Sequence, residues 1–288
     1  MNTEYKLSGK SGNIFIVGIL LGPILVTLLS IIYAYIDVYN PIVYLTLLVF
    51  IGLLVGIFIV QKLVIRLSKC RSKASSIIYG ILTGLFGFYA SWCTFLYVMF
   101  RKEDVPMELL DLMLSPSLVY EMAQSLSVDG YFTLLGGGTV RGGFLWFIWI
   151  VEAIGIIGAG ALGGLAVIHE EIFCEDCNRW AEDINFDMRL AIDNKGITKE
   201  IIETDIEKIL NFDKLENLNS EHIKVNLHQC SKCQNTNTID IDFMTYETND
   251  KGEVKEKSED FSSVYILSTN QFNLFVNKKN NNPTHNSA

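Results

Sequence analysis

Four stretches of the chain, residues 14–36, 41–60, 77–100 and 144–168, each run for 20 residues or more, and Glu152 is the one charged residue within them. A hydrocarbon core of about 30 Å is crossed by roughly 20 apolar residues in an α-helix. The runs therefore predict four transmembrane helices, and residues 1–168 read as a four-helix membrane domain. A cleavable signal peptide is a poor reading of the first run. Its 23 apolar residues exceed the roughly 7–15 of a signal h-region, and no small-x-small cleavage site follows. From residue 169 onward the composition is that of an ordinary soluble domain.

Charge divides the chain in the same way. From His169 to the end there are 23 Asp and Glu against 13 Lys and Arg, whereas the preceding part holds 9 acidic and 10 basic residues. So acidic a tail argues against nucleic acid as a partner, because phosphate affinity comes mainly from Lys and Arg. Lys6 and Lys10 precede the first helix. The turn Asp37 to Asn40 has no basic residue, and the second connection carries Lys62, Arg66, Lys69, Arg71 and Lys73. The third connection, 101–143, has three basic and six acidic residues. This alternation predicts a multi-pass protein of the cell membrane with both termini cytoplasmic. Tyr33, Tyr35, Tyr39 and Tyr44, with Trp92, Tyr97, Trp146 and Trp149, gather toward the predicted outer side, where amphipathic rings prefer to sit.

Each predicted helix carries a Gly-x-x-x-Gly pair: Gly18 and Gly22, Gly52 and Gly56, Gly80 and Gly84, Gly160 and Gly164. Glycines four apart share one face and let backbones approach closely. Packing within the bundle is the plain reading; a homo-oligomer interface is the sharper one. Pro23 is expected to kink the first helix. Glu152 lies about one third of the way into the fourth helix. A carboxyl group there is costly in lipid and marks an intramembrane functional site by default. Arg141 is a candidate partner for it, and Thr27, Thr46, Thr83, Ser91 and Thr94 are neutral alternatives.

The connection 101–143 predicts two short amphipathic helices, one from Pro106 to Leu114 and one opening at Pro116 and Ser117. In the second, Leu118, Val119, Met122 and Leu126 follow the helical period. They are expected to lie along the outer membrane face or to form a lid. The glycines Gly136, Gly137, Gly138, Gly142 and Gly143 around Arg141 read as a turn, since the strand and helix of a phosphate loop are missing.

Cys174 and Cys177, and Cys230 and Cys233, form two Cys-x-x-Cys pairs. Two intervening residues let a tight turn aim both sulfurs at one ion, and two such pairs complete the tetrahedral thiolate shell that zinc prefers. The pairs resemble the knuckles of zinc-ribbon or rubredoxin-like modules over about a dozen residues. The resemblance implies one structural Zn2+ ion held by these four cysteines, with iron in a rubredoxin-like site or two independent redox pairs as the alternatives. The 52 residues between the pairs exceed the roughly 15–20 of the usual spacing. The predicted fold class is thus an α-helical membrane protein followed by a C-terminal α+β zinc-ribbon-like domain, 169–288, with a helical insertion at 178–229. Thr198 is the expected cap of a helix reaching about Leu210. Thr238–Thr245 and Val264–Leu267 read as strands, Asn249 to Gly252 as a turn, and the chain after Lys278 as frayed.

No nucleophile–base pair, nucleotide loop or open metal position stands out. The leading functional expectation is a scaffold or adaptor, anchored in the lipid bilayer, whose zinc-stabilised cytoplasmic domain binds a protein partner. A small oligomeric transporter or channel subunit using Glu152 is the second reading. A membrane enzyme acting on lipid or peptide is the third.

Overall fold

The computed structural model describes residues 2–40, 42–132, 138–184, 188–215, 221–248 and 254–281. The chain divides into two units, Ser8–Glu170 and Met1–Leu7 with Glu171–Ala288.

The first unit holds four helices long and apolar enough to cross a membrane. They are α1 (Ile19–Tyr39), entered through a π-helical turn at Ile14–Gly18, α2 (Val43–Ser68), α3 (Lys73–Lys102) and α6 (Gly143–Glu170). Most of them outrun their apolar stretch. Helix α2 continues to Ser68 and takes up Lys62 and Arg66, which the sequence reading placed in a connection. The stem of a Lys or Arg can cover apolar surface while its charge reaches water, so a charge near a helix end does not stop the helix. Lys62 Nζ pairs with Glu170 at 2.7 Å, tying the ends of α2 and α6. The connection to α3 shrinks to four residues, with Lys69 left-handed after α2 and the Ser72 hydroxyl capping Ser75 N–H. Asp37 lies inside α1 rather than in the turn.

Glycine decides how α3 meets α6. A Cβ on Gly80 would stand 2.5 Å from the Gly160 carbonyl oxygen, and one on Gly160 would stand 2.4 Å from that of Gly80. One turn on, Gly84 lies against the Ile157 backbone, and Gly164 lies against Ser76. Gly18 and Gly22 instead receive the Tyr79 ring, whose hydroxyl donates to the Gly18 carbonyl at 2.6 Å. Gly52 faces open space.

Between α3 and α6 the chain forms α4 (Leu109–Leu114) and α5 (Pro116–Asp129). Pro116 opens α5 without a side-chain cap from Ser115. The Tyr89 hydroxyl, midway along α3, reaches the carbonyl oxygens of Leu112 and Met113 at 2.8 and 3.2 Å. At the far end of α5, Gly142 N–H donates to the Ser127 carbonyl at 2.6 Å. The two helices therefore pack beside α3 and α6, with α4 reaching the middle of α3 and the end of α5 reaching the start of α6. Leu112, Val119 and Ala123 bury themselves against Cys93, Leu96 and Leu145. Gly136 and Gly137 of the expected glycine turn lie outside the described residues.

The second unit is α+β. Strands β3 (Glu182–Asp183), β5 (His222–Gln229), β6 (Asn237–Thr248) and β7 (Val254–Leu267) lie in that order, and β4 (Met188–Ala191) also pairs with β5. Alternation places Ile223, Val225, Leu227, Ile239, Ile241 and Phe243 on one sheet face. Ile202 of α7 (Lys195–Thr204), Ile206 and Ile209 of a 3-10 turn (Ile206–Asn211), and Phe272 and Phe275 of α8 (Thr269–Asn281) cover that face. The expected helical insertion is therefore mixed, with strands on both sides of its helix. Asn194, not Thr198, caps α7: its Oδ1 accepts from Ile197 N–H at 3.2 Å, and Thr198 bonds back to the Asn194 carbonyl. Asn at this position satisfies a free helical N–H. Lys278, expected near a frayed end, lies in α8 and donates to the Leu210 carbonyl. Residues 249–252, read as a turn, lie outside the described residues, as do 282–288.

The free edge of β7 is not left bare. Ile266 N–H donates to the Thr3 carbonyl, and Tyr5 N–H donates to that of Val264. Residues before α1 and strands after α6 thus share one sheet, so any bilayer between them is crossed an even number of times. Four spans meet that condition.

Candidate metal centre and an intramembrane carboxylate

Two short hairpins carry the four cysteines. In the first, β1 (Phe173–Cys174) pairs antiparallel with β2 (Arg179–Trp180), and the Phe173 and Trp180 rings meet edge to face at 4.9 Å. The second is the turn between β5 and β6, where Gln229 and Asn237 form the last cross-strand pair. Directly after each pair the backbone turns left-handed, at Asn178 (φ 52°) and Gln234 (φ 55°). This matching geometry ends both knuckles alike. The long separation in sequence is bridged by β3, whose Asp183 and Glu182 pair with His228 and Gln229, directly ahead of Cys230.

The four sulfurs lie within 4.8 Å of one another, and Cys174 Sγ is 3.6 Å from Cys233 Sγ. Tetrahedral zinc with Zn–S bonds near 2.3 Å sets its sulfurs about 3.8 Å apart, so the cluster fits one such ion. Cys174 and Cys230 are buried, whereas Cys177 and Cys233 are half-buried. Asn235 N–H donates to Cys233 Sγ at 3.5 Å and is the main reason that thiol is lowered to about 6. Desolvation, with neighbouring thiols, pushes Cys177 up to about 12 and raises Cys174 as well. His169 is exposed in the last turn of α6. His228 faces Asp183 across the strands, and burial lowers its pKa. Neither histidine joins the sulfur cluster. Cys70 and Cys93 are buried elsewhere.

Glu152 has a different partner from those the sequence suggested. The Tyr33 hydroxyl donates to its Oε1 at 2.9 Å. Thr83, Ser91 and Thr94 are spent within α3, each donating to a carbonyl three or four residues earlier, as hydroxyl side chains in helices do. Glu152 also lines a cavity of about 40 Å³ with Tyr33 and Asp37 of α1, Ser91 of α3, and Tyr131. Trp92, Phe95 and Trp149 complete its wall. Tyr131 donates to Asp37 at 3.5 Å. Arg141 is exposed and is not among the lining residues. Asp37 reads in the sequence as part of a turn, and nothing there points to Tyr131. The available signal was the four-residue step from Tyr33 to Asp37, which puts both on one helical face.

Compared with protein-family models, curated proteins and solved structures, the chain matches none of them.

Proposed function

We propose that the protein is a membrane-anchored scaffold whose soluble domain is stapled by one structural zinc ion and binds a protein partner on the cytoplasmic side. The observation that carries this reading is the convergence of Cys174, Cys177, Cys230 and Cys233 within 4.8 Å. A shell of four thiolates leaves no position for water or substrate, which favours a structural role over metal catalysis. The zinc would fasten the first knuckle to the β5–β6 turn and so hold the sheet's end in one shape. The test is crosslinking of the full-length protein in its native membranes. A partner should be captured by the wild type and lost in Cys230→Ser at equal membrane abundance. Equal capture by both chains contradicts the reading.

The cavity beside Glu152 favours a second reading, a proton or cation site within the bundle. Two carboxyl groups line it without a Lys, Arg or His among the lining residues, and buried charge of one sign calls for a counter-charge. Proton or cation flux in liposomes that Glu152→Gln abolishes supports it. Absence of flux in the wild type removes it.

A further inference from the structure

We propose that α4 and α5 form a hairpin inside the leaflet on the side of the α1–α2 turn, and that the outward face of α5 is a contact between two copies of this chain. The argument is independent of the metal site and begins with depth. Tyr89 stands 13 residues before the end of α3 at Lys102, about 20 Å of helix, and it bonds the backbone at Leu112 and Met113. From that depth α5 climbs beside the first turns of α6. Tyr120 packs against Trp146, their rings 6.2 Å apart, and Ser127 reaches Gly142.

At this level the neighbouring helices present hydrocarbon. Phe144, Phe147, Ile150 and Ile154 of α6 are exposed, as are Leu45 and Leu48 of α2. The outward face of α5 departs from that pattern by mixing polar residues with the exposed Tyr120 and Val128. Ser117, Glu121 and Gln124 are exposed, and their spacing of four and three residues places them in one stripe. Polar side chains at bilayer depth are costly against lipid, and the cost is removed when protein or water covers them. Polar stripes of this kind join helices in membranes.

A second copy fits the stripe. Two chains inserted with the same topology are related by an axis along the membrane normal, so residues of equal height meet. Gln124 Nε2 donates to the Tyr120 hydroxyl at 3.0 Å, which leaves its second N–H and its carbonyl oxygen to pair with the partner's Gln124 and with the carboxylate one turn away. The face is therefore self-complementary, as a two-fold contact must be.

Single cysteines in the full-length protein in native membranes test this. Gln124→Cys should form a covalent dimer on mild oxidation, whereas Phe147→Cys on the lipid face of α6 should not. Gln124→Leu, which keeps the helix intact, should lower the dimer association constant in bilayers about 3- to 15-fold. The proposal is overturned if Gln124→Cys stays monomeric, whether or not a membrane-impermeant thiol reagent labels it. It is likewise overturned if that cysteine crosslinks only to a different protein, or if Gln124→Leu dimerises as the wild type does.

Discussion

The Tyr5 hydroxyl donates to the Phe173 carbonyl at 3.0 Å and accepts from the Phe173 amide at 2.8 Å. One side chain near the start of the chain therefore satisfies both backbone groups of the residue directly ahead of the first metal-site cysteine. Tyr5→Phe should remove both bonds and destabilise the soluble unit by about 1–3 kcal/mol. Hydrogen exchange of the full-length protein checks it: the Phe173 amide should exchange faster while amides of β5 keep their protection. Unchanged exchange at Phe173 would show that the bond carries no stability.

Glycines of identical sequence pattern should behave in opposite ways. Gly80→Ala sets a methyl group 2.5 Å from the Gly160 carbonyl, forcing α3 and α6 apart. Gly52→Ala meets nothing within 4 Å and gains up to about 1 kcal/mol of helix propensity. Thermal unfolding in detergent should show a lowered Tm for the first and an equal or raised Tm for the second. Equal destabilisation by both would place the seam elsewhere.

Metal binding should release protons. At neutral pH without metal, Cys174 and Cys177 are held as thiols by burial and by their neighbours, so binding zinc must displace both protons. Cys233 is ionised above about 6. Because its folded value lies below that of an ordinary thiol, the stability it lends is complete above the ordinary value. That stability is lost as pH falls through about 6. Protons therefore compete with zinc for the thiolates, and zinc affinity should fall as pH is lowered, read with a chromophoric chelator. An affinity independent of pH would argue against thiolate ligation.

The four spans and the two cysteine pairs were legible because each rests on a local rule. Uncharged length marks a helix in lipid, and two-residue spacing aims sulfurs at one ion. The reach of α2 to Ser68 was hidden because Lys62 finds Glu170, a residue far along the chain. The packing of α4 and α5 along α3 was hidden for the same kind of reason. Their amphipathic period reports a buried face but not what buries it, and Tyr89 supplies that through a hydrogen bond that no periodicity encodes. The joining of the knuckles depends on the pairing of β3 with β5, in which two charged-strand residues, Glu182 and Asp183, gave no strand signal. Glu152 stands out in the sequence as the one charge in an apolar run, whereas its hydrogen-bond partner Tyr33 reads there as an interface anchor.

The metal content of the purified full-length protein tests the central claim most directly. Elemental analysis should find about one zinc per chain, and Cys230→Ser should lose that zinc and unfold its soluble unit at lower temperature. Protein that carries no zinc after purification without chelator, and that melts identically before and after zinc is added, would contradict it.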